Sequence, residues 1–456
     1  MKTALRYRRS LLLALFALIA VLMFAATACG GSAGTDDTQG PDTTGEQADA
    51  VGLAMSDGSR LPASAGEGDV EAVVESTRKF SYDLYALLAQ EAADGNLVFS
   101  PTSIITALAM TYAGAAGATA EEMAGTLHFT LPDEALHQAF NSLDAALASR
   151  NFEEKAPEGK DQGVVLRTAN SLWAQQDLTF EQSFLDTLAA NYGAGVRLVD
   201  YKTATEASRQ AINHWVAGET NDKIPELIAQ GLLNAMTRLV LVNAVYLDAT
   251  WADQFSPEAT TDGQFTTLAG QQVTTPMMRQ SESLLYAAGD GWQAVELPYL
   301  GHELAMLLVV PDAGRLGEIE ERLDQGLLGD VMAALQPGYE VSLTMPKFEF
   351  RTQAALSDAL KTLGMATAFD ASTANFSGMT LQEALFISDV IHEAYIKVDE
   401  EGTEAAAATA VIMEATAAPM GEYVELTVDR PFLFVIGDLE TQTILFLGRV
   451  TDPTQK

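Results

Sequence analysis

Two stretches of this chain leave no face for water. "RLVLVNAVYL" at 238–247 and "LAMLLVV" at 304–310 are apolar at odd and even positions alike. Strands of that kind belong at the centre of sheets covered on both sides. Further strand patterns occur at 163–174, 293–310, 339–350 and 385–398, with helical periodicity between them at 181–192, 204–218 and 353–363. A first helix is expected from Val70, where Val73, Val74, Leu84, Leu87 and Leu88 recur at three-to-four spacing. "NLVFSPTSII" then reads as a short strand running into a helix, with Ser100 as cap and Pro101 in the first turn. Thr119 and Glu122 have capping-box spacing for the next helix. Helices come early and sheet-forming segments late, without regular βα alternation, which is an α+β pattern. The folded part, 69–456, is expected to be one domain with two lobes.

A puzzle sits near the C-terminus. "EEGTEAAAATAVIMEATAAPMG", Glu400 to Gly421, would pass as a helix on propensity. Its neighbours are strand-like: "AYIKVD" alternates with period two, and "YVELTVDRPFLFVIGD" is rich in β-branched and aromatic residues. A run of small residues between two strands needs another reason.

The N-terminus follows the secretory plan. Residues 1–28 carry Lys2, Arg6, Arg8 and Arg9, then the apolar run "LLLALFALIAVLMFAA", then small residues before Cys29. The run approaches membrane-spanning length, so a retained anchor competes with a cleaved signal. Cleavage is expected, because "ATAC" is similar to a bacterial lipobox with Cys29 lipidated, although Ala26 stands where Leu is commoner. Cys29 is the chain's one cysteine, which excludes an intramolecular disulfide. Residues 29–68 are Gly/Ser/Thr/Asp-rich and read as a flexible linker. The formal charge is −36, and removing the four signal cations leaves −40. So acidic a surface repels nucleic acid and anionic headgroups, leaving the lipid as the expected membrane contact.

A search for catalytic chemistry returns nothing. "GGSAG" at 30–34 has the G-x-S-x-G form but lacks the strand and helix that motif requires. "STRK" at 76–79 has the S-x-x-K form inside an amphipathic helix, with no S-D-N or K-T-G after it. His128, His137, His214, His302 and His392 are scattered without metal-ligand spacing. No phosphate-cradling loop, EF-hand or dinucleotide fingerprint is present, so no metal and no cofactor is expected.

An ordered series of motifs then carries a resemblance. "NLVFSPTSIITALAMTYAGAAGATAEEM", "LRTANSLWAQQDLTFEQSFLDTLAANYGAGVRLVDY", "INHWVAGETNDKIPELI" and "LVLVNAVYLDATWADQF" are followed by "ELPY", "MPKFEF", "ISDVIHEAYIKVDEEGTEAAAATA" and "DRPFLFVIGDLETQTILFLGRVTDP". Across nearly all of 75–454 the chain resembles the serpin family, departing locally at "YLDATW", where Lys and Gly more often precede the Trp. The resemblance implies three β-sheets, about nine helices and an exposed reactive loop. It also implies a non-enzymatic mechanism in which a protease attacks the loop, is acylated, and is dragged away as the cut loop joins the main sheet.

The small residues gain a reason from that implication. A segment that is first a solvated loop and then a central strand must be small on both faces. In alternation Thr403, Ala405, Ala407 and Thr409 share one face, and Ala406, Ala408 and Ala410 the other. The implied hinge comprises Glu400, Gly402, Thr403, Glu404, Ala405, Ala406, Ala407 and Ala408, with Gly402 giving the turn backbone freedom. About a dozen inserted residues, at roughly 0.5–1.5 kcal/mol per net backbone hydrogen bond, supply on the order of ten kcal/mol. Ser100, Ser103, Asn243 and His392 match the family's shutter, a buried polar cluster under the parting strands, and Trp251 matches its breach.

Counting from the hinge puts the scissile bond at Thr416–Ala417, with Glu414 and Ala415 as alternatives. No basic residue occurs between Lys397 and Arg430, so the target is expected to be an elastase-like or subtilisin-like serine protease, or a Glu-specific one if Glu414 is cleaved. Arg150 is the first basic residue after Leu131, so no heparin-like polyanion is expected as partner. The reading is an exported inhibitor, monomeric, lipid-anchored on the extracytoplasmic face or secreted. Its rivals are a non-inhibitory serpin-fold carrier or chaperone and, with no support beyond the signal, an exported lipoprotein enzyme or solute receptor.

Overall fold

Val73, Val74, Thr77, Phe80, Leu84, Tyr85 and Leu88 line the buried stripe of α1 (Glu67–Glu91), as three-to-four spacing requires. The computed structural model describes residues 51–155, 161–403 and 421–456, which lie in one contact-dense unit, Ala48–Lys456. Eight more helices follow among the described residues: α2 (Pro101–Tyr112), α3 (Gly117–Thr126), α4 (Asp133–Ala148), α5 (Gln182–Tyr192), α6 (Thr205–Glu219), α7 (Leu316–Glu320), α8 (Leu327–Ala334) and α9 (Ser357–Thr362). Ser100 caps α2 as expected, its hydroxyl accepting from the Ser103 backbone N–H at 3.3 Å with Pro101 in the first turn. The capping box at α3 does not form, because both residues bind elsewhere. The Thr119 hydroxyl accepts from the Asn375 N–H at 3.0 Å, and the Glu122 carboxylate accepts from the Thr367 N–H at 2.8 Å.

The strands form two continuous sheets. The first has eight strands: β1 (Gly52–Ala54), β3 (Phe152–Lys155), β4 (Asp161–Gln175), β5 (Val196–Val199), β6 (Leu239–Thr250), β12 (Phe348–Ala355), β13 (Asp389–Val398) and β14 (Gly402–Thr403). Their order is β1-β5-β4-β6-β14-β13-β12, with β3 on β4. The second has nine: β2 (Leu97–Phe99), β7 (Thr261–Thr266), β8 (Gln272–Gly289), β9 (Trp292–Pro298), β10 (Leu304–Pro311), β11 (Gln336–Pro346), β15 (Glu422–Thr427), β16 (Phe432–Asp438) and β17 (Thr443–Val450). Two of the three expected sheets merge into this one ladder because β8, 18 residues long, serves both. Its first part pairs with β7 and β11, and its end pairs with β9.

Strand β6 shows why two-sided apolarity mattered. Leu239, Leu241, Val245, Leu247 and Ala249 enter the main core, while Val240, Val242 and Ala244 enter a second core beneath α6. Elsewhere the expectations needed division. The stretch 293–310 is the hairpin β9–β10, turning at Gly301 with φ of +90°. The stretch 339–350 breaks between β11 and β12. The helix expected over 353–363 is reduced to α9, because β12 continues to Ala355 and pairs with β13.

Residues 51–66, taken as part of the linker, hold specific positions. Strand β1 pairs antiparallel with β5, and the Leu61 N–H donates to the Ala190 carbonyl at 2.8 Å. Asn141 of α4, 2% exposed, accepts from Arg60 Nε at 2.7 Å and donates to the Leu61 carbonyl at 3.0 Å. Composition misled here because the attachment is polar and needs few large apolar residues. Replacing Asn141 with Ala leaves Arg60 and the Leu61 carbonyl without this partner, at a cost of about 1–3 kcal/mol. Limited proteolysis of Asn141→Ala is expected to cut within 51–66 under conditions that spare the wild type.

Candidate functional site: the seam of the first sheet

Strands β6 and β13 run parallel and pair over six residues, Val240↔Asp389 to Val245↔Ala394. Above this seam the strands diverge and the two residues of β14 fill the gap, Gly402 opposite Thr250, and Thr403 opposite both Ala249 and Val398. The hinge therefore begins inside the sheet. Glu400, Glu401, Gly402 and Thr403 are all buried, and the solvated loop expected from Glu400 begins no earlier than the residue after Thr403.

The breach residue Trp251 organises this end. Its ring stacks on Tyr299 at 4.5 Å, nearly parallel, and its Nε1–H donates to the Asp399 carbonyl at 3.0 Å. The backbone N–H groups of Trp251 and Phe255 donate to the carbonyls of Glu401 and Glu400, each at 2.9 Å. The Tyr299 and Thr403 hydroxyls lie 2.6 Å apart, within hydrogen-bond reach. Lys347 Nζ and the Thr260 hydroxyl both donate to the Glu400 carboxylate. Burial pushes that carboxyl up, but the bonds from Lys347, from its own backbone and from Thr260 together hold it below the usual range. Gly402, expected to give the turn backbone freedom, is needed for room. A Cβ there would sit 2.1 Å from the Ala249 carbonyl oxygen.

The shutter residues also come together, below. Asn170, Asn243 and His392 stand opposite one another across β4, β6 and β13. His392 Nδ1–H donates to Asn243 Oδ1, and its Nε2 accepts from the Ser100 backbone N–H at 3.2 Å. Asn243 Nδ2 donates to the Ser103 hydroxyl and to Asn170 Oδ1, which also accepts from Ser103 Oγ at 2.9 Å. Asn170 was missed by the sequence reading, because in "LRTANSLW" it stands among Arg167, Thr168 and Ser171 with nothing local to single it out. Tyr299, Lys347 and Thr260 were missed as well, since their partners lie 53 to 140 residues away.

His392 is fully buried, and burial lowers its pKa to about 3. A protonated ring would point an N–H at the Ser100 N–H, so this network requires the neutral form. His137, paired with the Tyr192 hydroxyl at 2.7 Å, is lowered by burial to about 4.

The remaining candidate residues add no second site. Ser76 of "STRK", within α1, donates to the carbonyls of Ala72 and of His128, which follows α3. Among the described residues no cluster of His, Cys, Asp and Glu could hold a metal ion. The signal stretch, Cys29, the hinge from Glu404 to Ala408 and the bond candidates Glu414, Ala415, Thr416 and Ala417 lie outside the described residues.

Comparison with known proteins agrees with this geometry. The family model described as Serpin (serine protease inhibitor) matches residues 75–453. The Leukocyte elastase inhibitor of Homo sapiens is 36% identical over 392 residues, covering 84% of this chain and 100% of the relative. An uncharacterized serpin-like protein of Thermococcus kodakarensis is 38% identical over 389 residues, covering 85% of this chain and 87% of the relative. Among solved structures, Serpin48 of the insect Tenebrio molitor superposes with a TM-score of 0.73 at 28% identity, covering 83% and 98% of the two chains.

Two outcomes follow from the geometry. Both histidines are neutral when folded, whereas the unfolded chain takes up protons below about pH 6.5. Stability is therefore complete above pH 6.5 and falls as pH drops toward 4, by about 1.4 kcal/mol per pH unit for each such histidine; urea titrations at several pH values measure the slope, and His392→Gln should flatten it. Gly402→Ala is expected to push β14 off Ala249 and loosen the Trp251–Tyr299 stack, which a red shift in tryptophan emission relative to the wild type detects.

Proposed function

The chain belongs to the serpin family, and we propose that it inhibits a serine protease by acting as a suicide substrate. In this reading the protease's serine attacks the carbonyl of Thr416, the Ala417 amine leaves, and an ester joins enzyme to loop. The freed loop then continues the two residues of β14 down the seam as a full strand. The attached protease is carried along and its active site distorted before water can hydrolyse the ester. The observation that carries this reading is β14 itself, a strand already started between β6 and β13 at the residues from which the loop departs.

Sequence and relatives give further support. Residues 405–410 are Ala and Thr only, so the incoming strand is small on both faces over that stretch. An elastase-like or subtilisin-like target fits the small, uncharged side chains around Thr416, and relatives named Leukocyte elastase inhibitor are 35% to 37% identical, the human one at 36%. Export as a bacterial lipoprotein, with Cys29 carrying the lipid, remains part of the proposal and rests on the signal-like residues 1–28.

The test is to mix the protein separately with pancreatic elastase, subtilisin, trypsin and a Glu-specific protease. A complex stable to SDS is expected with elastase or subtilisin, together with a released peptide beginning at Ala417. Cleavage by every enzyme with none trapped would overturn inhibition. Thr403→Arg and Ala405→Glu, each burying a charge in the new strand at a cost of several kcal/mol, are expected to convert trapping into simple cleavage. Metabolic labelling with palmitate, lost in Cys29→Ser, is the expected sign of lipidation.

A further inference from the structure

Three connections of the second sheet enclose a cavity that the seam does not use. The β7–β8 turn, the β10–α7 loop and the β15–β16 loop surround about 350 Å³. That is the small end of the roughly 300–1,000 Å³ range of ligand sites, which suits a compact ligand better than a large cofactor. The walls are braced against one another. The Thr266 N–H donates to the Asp429 carbonyl at 2.8 Å, and the Leu268 N–H to the Thr451 carbonyl at 3.2 Å. Arg430 ties in the third wall, its Nε donating to the Pro311 carbonyl at 2.8 Å. A site fixed in this way needs little ordering when a ligand arrives.

The lining divides into an apolar and a charged part. Leu268, Ala313, Leu316 and Pro431 supply the apolar surface, and Leu268 is itself 37% exposed. Asp312, Asp429 and Arg430 supply the charges. Arg430 Nη1 donates to the Thr427 carbonyl at 3.2 Å and to Asp429 Oδ1 at 2.8 Å. With Nε engaged as well, Nη2 is the one nitrogen of this guanidinium without an acceptor among the described residues. Asp312 is left over in the opposite sense. Its carboxylate accepts no hydrogen bond among the described residues, and Arg315 stands 3.9 Å away. That arginine is already committed to Asp290 at 3.1 Å and to Glu318 at 2.8 Å. Pro311, whose carbonyl Arg430 holds, immediately precedes Asp312, so the spare donors and the spare carboxylate belong to adjoining parts of the lining.

We propose that this cavity binds short apolar peptides with both ends free. The peptide carboxylate takes the Nη2 donors of Arg430, an arrangement guanidinium groups favour. The peptide ammonium pairs with Asp312, and apolar side chains cover Leu268, Leu316 and Pro431. A simple anion is disfavoured, because two carboxylates flank the single guanidinium and the whole chain carries −36. A simple cation leaves the Arg430 donors unpaired. The inference is independent of the inhibitory reading, since none of these residues belongs to the seam or the loop.

The experiment titrates leucyl-leucine, its C-terminal amide and its N-acetyl form into the full-length protein by calorimetry. The free dipeptide is expected to bind, and each capped form to bind roughly tenfold to a hundredfold more weakly, the loss of one charge-assisted hydrogen bond. Asp312→Asn removes a carboxylate with no hydrogen bond to lose, so its urea midpoint should match that of the wild type. It is expected to weaken the free dipeptide by the same factor while leaving the N-acetyl form unchanged. Arg430→Lys keeps the charge but not the paired donors, and is expected to weaken the free dipeptide and spare the amide. No binding of the free dipeptide to the wild type would overturn the proposal. So would affinity that ignores both caps, or that is the same in Asp312→Asn as in the wild type.

Discussion

Six residue pairs between β6 and β13 hold the first sheet together at its middle. Everything functional is arranged around that ladder. Within it lies the polar row of Asn170, Asn243 and His392, bonded to Ser100 and Ser103. Above it, β14 keeps the two strands apart. On one face the main core packs against it, and on the other the smaller core under α6 does so. A wholly apolar interior beneath the ladder would favour close packing alone. A row of paired amides and an imidazole adds directional bonds that another arrangement of the strands would have to satisfy afresh.

The top of the sheet is held by contacts remote in sequence. Trp251, Tyr299, Lys347 and Thr260 together engage Asp399, Glu400, Glu401 and Thr403 by ring stacking, backbone bonds and a buried carboxylate. Four of the five residues from Asp399 to Thr403 are thus held at this end of the sheet. The proposed strand addition would continue this existing register and need no new nucleus.

Much of this was legible in the sequence, for reasons that differ by element. The two-sided burial of β6 and the stripe of α1 follow from local periodicity. The serpin resemblance placed His392, Asn243, Ser100, Ser103 and Trp251, and the structure joins the first four into one network. What failed did so where contacts are remote. Thr119 and Glu122 have the spacing of a cap, yet their partners lie at Asn375 and Thr367. Gly402 was credited with turning freedom, whereas the neighbouring strand leaves no space for a Cβ. Tyr299 and Lys347 carry no local mark at all, because their roles exist only once strands distant in sequence converge.

The segment 51–66 has a consequence for the company this protein keeps. A long bare strand at the rim of a sheet is a template on which other chains can add. Here β5 is covered by β1, and the strand left outermost is three residues long, too short to offer a neighbour a useful ladder. The first sheet thereby stays blunt at this border, so adhesion between molecules is discouraged there.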